Sequence, residues 1–255
     1  MAALGFSGSV IHGNGARMDI LGAGQADLVF TSPPYFSNET LAMLTVPKSE
    51  QNNIQSVQND VLSFARTLRP VFQEISRVLK TGRALVIQTK DLRYNDFLIP
   101  LSEAHLSVAN SCGFHLVTKV SWVPSKFDAK RLPTFLRSRK VGQFKCYDPE
   151  VFLVLAKEPG LEMRGSIESG TVELRELAKP LWRMPFRRRK DDHPYVSPRP
   201  VVKNLMLLLS ETGDLVVDPF AGYGTILETA KAIGRSSVGW DVDQTCVDEA
   251  NRRLS

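Results

Sequence analysis

Residues 215–225 read Leu-Val-Val-Asp-Pro-Phe-Ala-Gly-Tyr-Gly-Thr: an apolar run ending in an acid, then a loop punctuated by Gly222 and Gly224. The run predicts a buried strand, the glycines a tight turn, and the spacing from Thr225 to Ile233 a helix stopped by Gly234. Strand, glycine loop and helix N-terminus together form the ligand crevice of an open α/β sheet. A dinucleotide fingerprint wants a third small residue three positions beyond Gly224, where Leu227 stands, so a nicotinamide-dependent oxidoreductase is the disfavoured rival. Asp218 at a strand end suits a cationic ligand group. Asp241, which closes the next apolar run at Ser237 to Trp240, is placed to accept from ribose hydroxyls. The ligand implied is a nucleoside with an amino-acid tail.

Working outward, Ser9 to His12, Asp27 to Thr31, Ala84 to Gln88, Leu116 to Trp122 and Glu150 to Ala156 read as strands. Helical spacing runs from Asn59 to Leu79, with Pro70 as a kink and Gly82 as a stop, and again over Leu101 to Cys112 and Pro200 to Leu209. A last helix ends at Leu254, and Phe36 to Ser56 reads as a mobile loop beside the site. Alternation of this kind predicts a doubly wound, Rossmann-like α/β sheet, and 255 residues suffice for one core plus an inserted region. No apolar run approaches a membrane span, and no basic start precedes an apolar block, so the expected compartment is the cytoplasm. Three scattered cysteines and four dispersed histidines suggest neither a disulfide framework nor a metal site.

A second punctuated strand end is Ser32-Pro33-Pro34-Tyr35, directly after Asp27 to Thr31. Two prolines fix φ and remove two amide donors, so the turn presents acceptors. The Ser32 hydroxyl and the Pro33 carbonyl can hold both hydrogens of an exocyclic amino group and turn its nitrogen lone pair toward an electrophile. Tyr35 offers a flat face for a base taken out of its stack. No strong general base is required, because positioning is the larger task. Alone, such a tetrapeptide is more often a plain turn.

With both motifs in this order, the chain resembles the β group of DNA amino-methyltransferases, which place the Ser/Asp-Pro-Pro-Tyr motif first and the cofactor loop last. The resemblance covers Gly13-Asn14, Asp27 to Tyr35, Leu79 to Gly82, Glu150 to Lys157 and His193-Pro194. It continues through Arg199-Pro200, the Asp218 loop, Gly239 to Asp241 and Ala250 to Leu254. It implies a methyltransferase sheet with permuted motif order, S-adenosylmethionine as cofactor and base flipping in duplex DNA. It further implies that Ser32, Pro33, Pro34 and Tyr35 are catalytic. Cofactor contacts would come from Asn14, Asp218, Pro219, Phe220, Gly222, Gly224, Thr225 and Asp241, with Arg199, Pro200 and Asn204 closing the methionine pocket. The family commonly has Asp at position 14, Lys at 199 and Gly-Ser-Gly over 222–224, where this chain has Asn14, Arg199 and Gly222-Tyr223-Gly224.

Ser at position 32 favours N4 of cytosine as the methyl acceptor over N6 of adenine, the alternative; a DNA-binding module without turnover is the rival of another class. The net charge of +5 permits a polyanionic partner, and its placement says more. Lys126, Lys130, Arg131, Arg137, Arg139 and Lys140 crowd one loop, and Arg183, Arg187, Arg188 and Arg189 lie in a run interleaved with Phe186. Such clusters neutralise phosphates. The expected division is a catalytic half over 1–156, a target-recognition insertion over 157–192 and a cofactor-binding half over 193–255. A homodimer, a cognate restriction endonuclease, other defence-system proteins and association with the nucleoid are left open by the sequence.

Overall fold

The structure is a computed structural model that describes residues 7–34, 54–94, 97–125, 139–141, 144–146, 149–161, 179–185, 189 and 196–255. Its centre is an eight-stranded sheet. In chain order the strands are β1 (Ser7–His12), β2 (Ala26–Thr31), β3 (Leu79–Lys90), β6 (His115–Pro124), β9 (Glu150–Ala156), β10 (Leu181–Met184), β11 (Leu215–Asp218) and β12 (Ser236–Asp241). Two small hairpins pair β4 (Leu92–Tyr94) with β5 (Phe97–Ile99) and β7 (Arg139–Val141) with β8 (Phe144–Cys146). Helices are α1 (Ile54–Thr67), α2 (Arg69–Val78), α3 (Leu101–Asn110), α4 (Arg199–Leu209), α5 (Thr225–Ala232) and α6 (Gln244–Leu254). No described helix is long and apolar enough to cross a membrane.

The sheet order is β1-β12-β11-β2-β3-β9-β6-β10, and every neighbouring pair is parallel except the two made by β9. Two strands from the end of the chain thus lie between its first two, which is the permuted connectivity the motif order implied. Both faces are covered. Val29, Leu85, Ile87, Leu153 and Val217 pack with Phe72, Ile75 and Val108 of α2 and α3. Leu28, Phe30, Val86, Phe152 and Val216 pack with Val202, Leu205 and Met206 of α4 and Ile226 of α5. Phe30 and Phe152 meet edge to face, centroids 6.2 Å apart. Such double burial makes β2 apolar at nearly every position rather than alternating. α1 and α5, which come after β2 and β11 in the chain, pack on opposite faces of the sheet, the arrangement that puts a ligand crevice at the carboxyl ends of such strands.

Several boundaries differ from the sequence reading. The first long helix begins at Ile54, inside the stretch read as a loop, and Pro70 divides it in two rather than kinking it. The missing amide of proline costs nothing in the first turn of a new helix. Gly82, expected as the stop, sits at φ 73° inside β3, while α2 already ends at Val78. Arg139 and Lys140, expected in a loop, lie in β7. The end of the 157–192 stretch is not peripheral: β10 continues the central sheet beyond β6, and Trp182 is buried.

The amino ends of the strands carry a structural cluster. Asp27 accepts from Lys80 at 2.6 Å, Arg83 at 3.2 Å and the Leu215 amide at 3.0 Å, fixing the level of β2 against β3 and β11. The candidate site lies at the opposite edge.

Candidate active site

The two motif strands are neighbours, with Val29 paired to Val217. Past their ends, Thr31 donates its hydroxyl hydrogen to Asp218 Oδ1 at 2.7 Å, and the Phe220 amide donates to the same oxygen at 3.0 Å. The other oxygen, Asp218 Oδ2, is buried without a partner among the described residues. Burial pushes the Asp218 carboxyl up to about 7, helped by the charge of Asp241 and opposed by the Thr31 and Phe220 hydrogen bonds. A buried acceptor with a free lone pair beside a glycine loop can accept from a donor that enters there.

The loop after Asp218 is held from below. Gly222 and Gly224 have φ of 51° and 75°, and Gly224 precedes the first turn of α5. Asp241 accepts from the Gly222 amide at 2.8 Å and from Asp243 at 2.9 Å, so its carboxylate shapes the loop. A Cβ on Gly222 would meet nothing within 4 Å, whereas one on Gly224 would meet Ala250 at 3.1 Å. The loop is therefore packed on one side and open on the other. Tyr223 lies under the guanidinium of Arg253, 5.2 Å from its ring centroid, which anchors this departure from the family loop to α6.

From the other side comes the turn after β1. The Gly13 amide donates to Asp241 O at 2.9 Å, and Asn14 Oδ1 accepts from the Ala16 amide at 2.9 Å. A Cβ on Gly15 would fall 2.6 Å from Pro219, so the two turns touch backbone to backbone. Asn14 thus stabilises its own turn.

On α4, Arg199 donates to Glu228 Oε2 at 3.2 Å, and Glu228 also receives Arg189. Pro200 occupies the first turn, and Asn204, buried, donates to the Met184 sulfur at 3.5 Å. Thr225 opens α5 and is buried. Of the proline motif, Ser32 is half-buried, Pro33 buried and Pro34 exposed; Tyr35 lies outside the described residues. So do Lys126, Lys130, Arg131, Arg137, Arg187 and Arg188, while Arg183 and Arg189 are exposed. The structure thus brings Ser32, Asn14, the Asp218 loop and Asp241 to one strand edge. Sequence reasoning missed Thr31 and Glu228, which carry no motif.

Sheet order, switch point and glycine loop together define the fold of S-adenosylmethionine-dependent methyltransferases. The chain belongs to the DNA methylase family of N6 and N4 amino-methyltransferases, whose model matches residues 26–252. It is 24% identical to the type II methyltransferase M.MjaI of Methanocaldococcus jannaschii, over 92% of this chain and 87% of that protein. The cytosine-N4-specific PvuII DNA methyltransferase superposes with a TM-score of 0.73 at 16% identity, over 97% of this chain and 86% of that one. A putative DNA modification methylase of Thermus thermophilus, complexed with S-adenosyl-L-methionine, superposes with a TM-score of 0.67 at 22% identity, covering 97% and 93%. S-Adenosylmethionine is the cofactor of this chain's family, and the donor set at the Asp218 edge fits it.

Proposed function

We propose that this DNA amino-methyltransferase transfers the methyl group to N4 of cytosine in duplex DNA, on a base flipped into the edge between β2 and β11. The observation carrying the reading is the junction itself: a turn rich in acceptors and a cation-seeking loop, tied by Thr31 and Asp218. Ser32 favours cytosine over adenine.

In this reading Asp218 Oδ2 takes the ammonium of the cofactor's methionine moiety, and Asp241 the ribose hydroxyls. Pro219, Phe220, Gly222, Gly224 and Thr225 line the loop, with Asn14, Arg199, Pro200 and Asn204 closing its sides. The cofactor supplies an electrophilic methyl on a sulfonium. What the chain adds is orientation: the Ser32 hydroxyl and Pro33 carbonyl accept the two amino hydrogens, and Tyr35 stacks on the base. Residues 157–192 and the basic 126–140 stretch are assigned to target recognition, with Arg183 and Arg187 to Arg189 on the DNA backbone.

The test is digestion of DNA from cells expressing the protein, followed by mass spectrometry against nucleoside standards. N4-methylcytosine from wild type, and almost none from Tyr35→Ala with cofactor binding retained, is the expected result. N6-methyladenine alone would overturn the cytosine assignment. No methylated base at all, from protein with bound cofactor, would favour a binding module.

A further inference from the structure

The carboxyl edge holds one more polar pair that no motif announces. Register pairs Phe30 with Val86 and Thr31 with Ile87, so Ser32 and Gln88 are the next residues along the two chains. Phe30, Val86, Phe152 and Val154 share the sheet face under α4, and the alternation carries Gln88 and Glu150 to that same face. Because β9 runs antiparallel, its first residue, Glu150, reaches the edge where the parallel strands end. Gln88 is buried, and its Nε2 donates to Glu150 Oε2 at 2.8 Å. Its Oε1, equally buried, has no partner among the described residues.

With its nitrogen committed to Glu150, the Gln88 amide leaves its oxygen as an unused acceptor. Leaving a buried acceptor unsatisfied is costly, and such groups in native proteins call for an explanation. Burial also pushes the Glu150 carboxyl up to about 7, against the pull of Lys90 and the Gln88 hydrogen bond. Packing alone would have been served as well by an apolar pair.

We propose that Gln88, oriented by Glu150, is a positioning residue for Ser32: with a base in the site, its carboxamide oxygen accepts a hydrogen bond from the Ser32 hydroxyl, leaving the lone pairs of that hydroxyl for the base's amino group. A serine hydroxyl can donate or accept; the pair fixes it as an acceptor. The inference rests on the proposed base site, and it predicts an effect that vanishes when residue 32 needs no orienting. An aspartate there is an acceptor without help.

The experiment measures single-turnover methylation of a duplex carrying the sequence found methylated in expressing cells. Gln88→Leu in the wild-type background should slow transfer on the order of ten- to a hundredfold, the scale of misplacing a reacting group. Cofactor affinity and DNA KM should stay within about twofold, as expected for a group acting only on the chemical step. In a Ser32→Asp background the same substitution should change the rate less than about twofold, because the two positions are then uncoupled. Equal losses in both backgrounds would mean a structural role and overturn the proposal. Gln88→Met, close to glutamine in length and volume but without the amide, guards against poor folding of Gln88→Leu; it should slow transfer too, and wild-type rates from it would count equally against the idea. A wild-type protein that methylates nothing would sink the proposed function first, and this inference with it.

Discussion

Thr31 and Asp218, 187 residues apart in sequence, share a buried 2.7 Å hydrogen bond that joins the end of the catalytic-motif strand to the end of the cofactor-motif strand. The hydroxyl donates to the carboxylate and so stabilises its charged form, while burial works the other way. Thr31→Val should therefore push the Asp218 carboxyl further up. If the ionised form receives the cofactor's ammonium, affinity for S-adenosylmethionine falls as pH drops through about 7 in wild type. The variant should show the same fall displaced to higher pH, read by calorimetry from pH 6 to 9. Superimposable profiles would detach Thr31 from the site.

The same shift has an opposite sign for folding. A carboxyl raised above its unfolded value contributes stability that is fully present below the unfolded value and is lost as pH rises through the folded one. Asp218 and Glu150 both rise to about 7. The ligand-free protein should accordingly lose stability between about pH 4 and 7 relative to an Asp218→Asn variant, whose site cannot ionise, and level off above that. Thermal midpoints of both proteins across that range check it. A wild type that gains on the variant as pH rises would mean Asp218 is already ionised and paired.

How much of this was legible in advance depends on what each feature rests on. Strand positions such as Glu150–Ala156 and Leu215–Asp218 were readable because burial on both faces writes continuous apolar runs. Pro70 was visible as a break, but whether it bends or ends a helix goes with the burial of Leu68 in the core between the two helices, which is a tertiary matter. The short β10 was not legible: Leu181, Arg183 and Met184 flank a single buried Trp182, and only the vacant side of β6 makes a strand of them. Thr31, Gln88 and Glu228 escaped notice for a common reason. Each acquires its meaning from a partner on another strand or helix, and one-letter spacing does not record partners.

Asp241 illustrates the point within a motif that was read. The expectation gave it to ribose, yet both carboxylate oxygens also accept backbone amides, from Gly222 and Asp243. Asp241→Ala should weaken S-adenosylmethionine binding by on the order of 1–3 kcal/mol, the range for losing a charged hydrogen-bond partner. Asp241→Asn keeps one acceptor oxygen and should fall between the two. Unchanged affinity in the alanine variant would remove Asp241 from the pocket.

The contact between Gly15 and Pro219 makes a steric prediction. A methyl group placed 2.6 Å from Pro219 atoms, backbone oxygen included, cannot be absorbed by a side-chain rotation. Gly15→Ala should cost about 1–3 kcal/mol, as overpacking does, and loosen the cofactor loop with it. Chemical denaturation measures the first effect and calorimetry the second. A variant as stable as wild type would show that the two turns have room to separate.

Glu228, on α5, joins the basic run to α4, since it receives both Arg189 and Arg199. Arg189 is more than half exposed in that pair, so it can exchange a carboxylate for a phosphate at small cost, as surface ion pairs are weak. If Arg187, Arg188 and Arg189 each neutralise one phosphate, replacing all three with alanine should flatten the logarithmic salt dependence of DNA binding by roughly 0.9 for each phosphate left without its arginine. Glu228→Gln removes the competing charge while keeping the shape of α5, and should strengthen DNA binding at low salt with the slope unchanged or steeper. The two variants thus move affinity in opposite directions through the same arginine, and fluorescence anisotropy across a series of salt concentrations separates them. A triple variant with the wild-type slope would return the run to an ordinary solvated surface. A Glu228→Gln protein that binds DNA more weakly would mean instead that the carboxylate organises Arg189 for the phosphate rather than competing for it.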